Sequence, residues 1–354
     1  MNGTTTVRTT TAEEPRAASR PDAPSLRTNL FRLAGLALVL ASALVASIAL
    51  GAADLTLDQV AAALLGHGDE TTRAIVLRLR LPRAILAALV GGALALGGSV
   101  FQALLRNPLA EPYILGVSSG AAVGAVAAVA LGWNLLAPWA TPLAAFTGAV
   151  LATALVFRIA AAADLSLDTR TLLLAGVVVG AFLNAGIIIL LTFTDLETFR
   201  AAVFWMMGSL SNADWPAALT LAAYLVPAAL VLLALGRSLD LLAIGEETAG
   251  YLGTRVELVK WTAFLVASLL VAASVAVSGV IGFIGLIVPH AIRLVWGSDH
   301  RLLLPASLLA GAAFLLLADL ASRTIAAPAE LPVGAITALI GVPVFITLLA
   351  RRRV

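Results

Sequence analysis

Long apolar runs separated by short polar segments organise this chain. Uncharged stretches fall at about Leu33–Leu50, Ala84–Leu105, Tyr113–Ala130, Trp139–Phe157, Thr171–Phe193, Trp215–Gly236, Leu302–Ala318 and Val333–Ala350. Each approaches the roughly 20 residues that a helix needs to cross the hydrocarbon core of a bilayer. A ninth run, Trp261–Ile292, has 32 residues, too many for one crossing and few for two. Its SGVIGFIG segment permits a tight reversal near Ser278–Gly279, so the pattern predicts ten transmembrane helices in an all-α polytopic bundle. Residues 1–28 are polar and contain Pro15, Pro21 and Pro24; too little apolar surface is available to fold them, which predicts a disordered tail. Residues 29–354 are then one ten-helix domain. The first run is long enough to stay in the membrane, as an anchor rather than a cleaved signal.

The positions of Lys and Arg set the expected orientation. With both ends inside, the inner segments hold Arg8, Arg16, Arg20, Arg27, Arg32, Arg106, Arg158, Arg170, Arg237, Arg255, Lys260, Arg293, Arg301 and Arg351–Arg353, which is 16 of 22. That bias matches the rule that basic loops stay on the cytoplasmic side. Arg73, Arg78, Arg80 and Arg83 break the bias just before the second span, which points to a function for this cluster.

Composition narrows the class further. Hydrophobic residues make up 61%, charged residues 12%, and mean hydropathy is +1.02; a soluble domain carries about 25% charged residues. The absence of cysteine excludes disulfides and thiolate metal sites. No charged residue falls in the middle of an expected span, whereas proton-coupled carriers keep ionisable groups at depth. Lys260 is the sole lysine and follows no phosphate-binding glycine loop, so the chain is not expected to hydrolyse ATP or to be an enzyme.

Several segments in fixed order carry a resemblance: LRLPR (79–83), QALLRNPLAEPYILGVSSGA (102–121), LLLAG (172–176), FWMMGSL (204–210), AIGEETAGYLG (243–253), SGVIGFIGLIVPH (278–290), DHRLLLP (299–305), LLLADLASR (315–323) and PAELPVGAITALIGVPVF (328–345). The chain resembles the FecCD family, membrane permease subunits of binding-protein-dependent ABC importers for ferric siderophores, haem and cobalamin. The resemblance implies a type II ABC importer-like bundle in a bacterial or archaeal inner membrane, with both termini cytoplasmic. It implies a second permease subunit, either a copy or a paralogue, two cytoplasmic ATPases and an external substrate-binding protein. No cofactor or metal is expected on this chain, since ATP and magnesium belong to the ATPase. The implied cargo is a bulky metal chelate, with a ferric siderophore first and haem or cobalamin (vitamin B12) as alternatives. An ATP-independent secondary carrier is the alternative of another class.

The same resemblance assigns candidate sites. Arg80, Arg83 and Arg323 would receive acidic residues of the binding protein, the competing reading being that they snorkel to lipid headgroups. Gly245, Glu246, Glu247, Ala249, Leu252 and Gly253 would form a short helix pressing on the ATPase. Asn107, Leu109, Thr169 and Arg170 would narrow the cytoplasmic end of the pathway, or form ordinary turns. Leu196–Met207 reads as an outer helix or interfacial anchor, with Gly208 placed for a left-handed cap. Gly116–Gly120 matches a nucleophile pattern around Ser118 but opens a membrane helix, where small residues serve packing. His67, His290 and His300 have no metal-ligand spacing. Gly98 to Pro108 and Gly279 to Pro289 share one separation, a weak internal echo.

Overall fold

The computed structural model describes residues 26–51, 53, 55–163 and 169–351. Among them ten apolar helices form the bundle: α1 Leu26–Ala49, α2 Leu81–Leu104, α3 Val117–Ala130, α4 Ala140–Ala163, α5 Thr169–Thr192, α6 Trp215–Ala234, α7 Val256–Ser278, α8 Ile284–Trp296, α9 His300–Thr324 and α10 Val333–Arg351. Seven are long and apolar enough to cross a membrane, while α3, α8 and α10 are shorter. The long run divides where its glycines permit: α7 ends at Ser278, and Gly279 at φ 67 turns the chain. Helix starts follow side-chain capping. Asp195, Asp214 and Asp299 each accept a backbone N–H of the first turn, at 2.8–2.9 Å. Gly208 does take the left-handed cap, at φ 73.

Three boundaries differ from expectation. Helix α1 begins at Leu26, so Leu26–Thr28 belong to it rather than to the tail; the rest of the tail lies outside the described residues. The arginine-rich approach to the second span is itself helical, giving one apolar rod over Glu70–Leu104. Pro82 has no N–H for the carbonyl four residues back, and a wide π turn at Ile75–Arg80 absorbs the defect, with Leu81 N–H bonding Val76. The third expected span starts late. Pro112–Leu115 form a 3₁₀ turn, Gly116 sits at φ 78, and α3 begins only at Val117.

Helix α2 is the centre of the bundle. The Glu70–Leu104 rod is mostly buried, whereas α1 is mostly exposed. It packs against α9, α7, α8 and α6. Glycine makes this possible: a Cβ on Gly98 would lie 2.0 Å from the Gly285 carbonyl of α8, and one on Gly91 2.2 Å from Gly311 of α9. The pair α3 and α4 meets the same way, through Gly120 and Gly148. Small residues at such crossings let backbones touch, which in lipid replaces the hydrophobic drive.

Gly98→Ala is expected to lower stability by about 1–3 kcal/mol or more, because the opposing atom is rigid backbone. Gly35→Ala, with open space around it, is expected to be neutral or slightly stabilising. Thermal unfolding midpoints of the detergent-purified variants check both.

Candidate functional site

At the end of the bundle where α2 begins, the expected docking arginines are turned inward. Helix α9 continues past the expected span end, so Asp319 and Arg323 are part of it, and Asp319 is fully buried. Its carboxylate accepts from Arg83 Nε and Nη2 at 3.0 and 2.9 Å and faces Arg323 Nε at 3.4 Å. Arg83 Nη1 reaches Glu330 at 2.9 Å. Arg80 points the other way, donating to the carbonyls of Ile48 at 2.9 Å, Ala49 at 2.7 Å and Ala53. Arg323 donates to the Ser47 carbonyl and, at 3.0 Å, to its hydroxyl.

The last turn of α1 leaves carbonyls without helical partners, and guanidinium groups satisfy them with favourable charge. Both guanidiniums converge on Gly51, where a Cβ would sit 3.0 Å from each. Expected as an exposed face, Arg80 and Arg323 are therefore 6% and 9% exposed and bind this chain's own backbone. Arg83 is largely covered as well. Among the described residues, Arg73, Arg78 and Arg200 are exposed at this end.

At the opposite end, the connection from α6 to α7 forms two short helices, Gly236–Ile244 and Glu246–Tyr251, hinged at Gly245 with φ 142. Glu246 opens the second helix, where the dipole favours an acid. Its carboxylate bonds Arg106 at 2.6 Å and Lys260 at 3.0 Å. Ala249 is fully buried, so it belongs to the inner side of this helix and not to a contact surface as expected. Leu252 and its neighbour Tyr251 are 61% and 91% exposed, and Glu247 is exposed too. Gly253 closes the helix at φ 85, with Thr254 N–H bonding the Ala249 carbonyl. The first helix is tied to α9: Asp240 accepts from the His300 amide at 2.8 Å and meets its ring Nδ1 at 2.6 Å. Burial alone would raise the Asp240 carboxyl, but these bonds bring it below the ordinary range.

The loop after α2 is a built turn. Arg106 adopts φ 45, unusual for a residue with a Cβ. The Asn107 side chain accepts from Leu109 N–H at 2.9 Å, and Leu109 is exposed. Thr169 starts α5 but its side chain lies outside the described residues, and Arg170 is exposed. The structure thus brings Asn107 and Leu109 into one turn and shows no bond from them to Arg170.

Side chains given no role of their own in the sequence bolt this loop and the end of α2 to the α7–α8 reversal and to α8. Glu111 accepts from Phe283 N–H at 2.8 Å, and Phe283 is held at φ 70. Tyr113 donates to the Ile281 carbonyl at 2.6 Å and accepts from its N–H at 3.1 Å. Gln102 donates to the Leu286 carbonyl at 3.1 Å and accepts from Arg293 at 2.8 Å. Burial pushes the Glu111 carboxyl above its ordinary range, the Phe283 bond opposing it, and burial raises the Tyr113 hydroxyl too. The readable signal was a lone acid and a tyrosine flanking Pro112 between two apolar runs. The GVSSG segment opens α3, and its Gly120 is spent on contact with α4.

Ten apolar helices around a mostly buried central one define a multi-pass, all-helical membrane protein. Residues 38–351 match the FecCD transport family, and the chain belongs to it. The hemin transport system permease protein HmuU of Yersinia pestis is 43% identical over 282 residues, covering 79% of this chain and 84% of that protein. The vitamin B12 import system permease protein BtuC of Escherichia coli O9:H4 is 45% identical over 280 residues, covering 78% and 84%. A solved structure of a metal-chelate type ABC transporter in an inward-facing conformation superposes with a TM-score of 0.82. It is 33% identical and covers 90% of this chain and 98% of that one.

Asp319→Ala is expected to cost about 3–5 kcal/mol, since it strands Arg83 and Arg323 in a buried site. Glu330→Ala, which removes a partly exposed partner, is expected to cost less than about 1 kcal/mol. Thermal or denaturant unfolding separates the two. Glu111→Ala is expected to lose about 1–3 kcal/mol by leaving the Phe283 N–H unpaired, while Glu111→Gln keeps an acceptor and should stay near wild type. Because the fold raises the Glu111 carboxyl, its stabilisation is full below the ordinary value of 4.5 and is lost as pH rises through the folded value. In Glu111→Gln that part of the stability–pH profile should flatten.

Proposed function

We propose that this chain is the membrane-spanning subunit of an ATP-driven importer that moves a bulky metal chelate by alternating access. The observation that carries the reading is the hinged helix Glu246–Tyr251. It is fixed from behind by Ala249 and Glu246 yet leaves Tyr251, Leu252 and the preceding Ile244 more than 60% exposed. An apolar patch of that kind at a helix-bundle end suits a protein partner, and the ATPase contact is assigned to it, on the cytoplasmic side. The turn of Asn107 and Leu109, with Thr169 and Arg170, lies at this end and is assigned the cytoplasmic gate.

Packing also supports a second permease subunit. Helix α2 fills the centre of the bundle, so a route for a bulky cargo lies beside one chain rather than through it, and a copy of this chain would supply the other wall. The external binding protein docks at the opposite end. There the exposed Arg73 and Arg78 offer cations, while Arg80, Arg83 and Arg323 hold the surface in shape. A ferric siderophore is the first candidate cargo, and haem and cobalamin follow the relatives named above.

Leu252→Asp is expected to lower co-purification of the ATPase and to cut transport in vesicles by roughly tenfold or more, as loss of a central apolar contact does. Arg78→Glu should leave membrane abundance unchanged and reduce the stimulation of ATP hydrolysis by the binding protein, through slower encounter. Cargo is identified by titrating the binding protein with siderophore, haem and cobalamin in turn. Transport by this chain in vesicles without any ATPase overturns the whole reading in favour of a secondary carrier.

A further inference from the structure

The two oxygens of the Glu246 carboxylate are divided between different elements. One accepts from Arg106 Nη2 at 2.6 Å and the other from Lys260 Nζ at 3.0 Å. Lys260 sits on α7, 8% exposed, and is the chain's sole lysine. Arg106 immediately precedes Asn107 and Leu109, and its φ of 45 is a conformation that persists only where the surroundings enforce it. A half-exposed charge pair adds little to stability but can be broken and remade during a cycle. The fully buried Asp319 cannot be so treated, which leaves the Glu246 end as the one able to switch.

We propose that Arg106 and Glu246 are positioning residues that transmit movement of the helix Glu246–Tyr251 to the turn of Asn107 and Leu109. This inference rests on the reading of that helix as the ATPase contact. Displacing the helix carries the Glu246 carboxylate with it. Arg106 follows through its ionic bond, and the turn pivots because its far side is held by Glu111. Lys260 supplies the fixed pivot on α7. Without Arg106, the helix would still meet the ATPase but the turn would no longer register its position.

The natural absence of cysteine makes Leu109→Cys the one thiol of the chain. In vesicles holding the full complex of permease, ATPase and binding protein, its alkylation by a maleimide is timed with and without ATP plus vanadate. With Arg106 and Glu246 intact, the two rates should differ by roughly threefold or more, as expected for a shifted two-state equilibrium. In the Arg106→Ala background the ratio should fall to about 1, while ATPase association and ATP hydrolysis persist, and in the Glu246→Gln background the ratio should fall likewise. Arg106→Lys should restore most of the difference, which a purely structural loss would not allow. An undiminished ratio in Arg106→Ala overturns the link and leaves the ATPase contact standing. A rate that ignores nucleotide even with both residues present overturns the link, and if Leu252→Asp then leaves ATPase association unchanged, the underlying reading falls too.

Discussion

Four glycines, Gly91 and Gly98 on α2, Gly285 on α8 and Gly311 on α9, let three backbones meet where any side chain would lie within 3 Å of a neighbouring atom. In lipid, apolar side chains gain little by leaving one hydrocarbon environment for another, so such crossings depend on van der Waals contact and on polar bonds between helices. Once α9 is drawn against α2, Asp319 arrives beside Arg83. Once α8 is drawn against it, Gln102 reaches the carbonyls of Gly285 and Leu286. The polar contacts at both ends are thus consequences of the glycine face.

Those contacts are of two kinds, and the difference is one of burial. Asp319 has no exposure and is gripped through two nitrogens of Arg83; removing either partner would leave a charge without water or counter-ion, so this end is rigid. Helix α9 is also fastened at its start, where His300 meets Asp240. Glu246 and Arg106, by contrast, are 34% and 44% exposed at their side chains. Water can replace either partner there at small cost. One end of the bundle is a frame and the other contains a joint.

Much of the fold was legible because it follows from one-dimensional pattern. Uncharged runs of the right length gave ten helices, the glycines of SGVIGFIG marked the division at Ser278, and Gly208 was readable as a left-handed cap. Boundaries failed where a local defect was compensated, as when the π turn carried the helix through Pro82. The site was less legible, since burial depends on neighbours distant in sequence. Arg80 and Arg83 were assigned together to docking, but the open carbonyls of α1 drew Arg80 away from Arg83. Ala249 and Leu252 look equally apolar in sequence, and only the packing of the short helix assigns one to the inside. Asp319 four residues before Arg323 was a readable helical pair. Nothing in the sequence joins Arg106 to Glu246, which lie 140 residues apart.

The continuous rod Glu70–Leu104 gives these two ends a shared element. At about 1.5 Å per residue, its 35 residues carry the exposed Arg78 near one terminus and lead into Arg106 at the other. If a binding protein contacts the first end and an ATPase the second, both ligands act on one body whose packing admits discrete arrangements rather than gradual bending. Coupling between two binding sites is reciprocal by thermodynamic necessity. Nucleotide at the Glu246 end must then alter affinity for the binding protein at the Arg78 end by the same factor that docking alters affinity for nucleotide. A rigid Asp319 grip at the first end enlarges this coupling, because a compliant one would dissipate the displacement before it reached the joint.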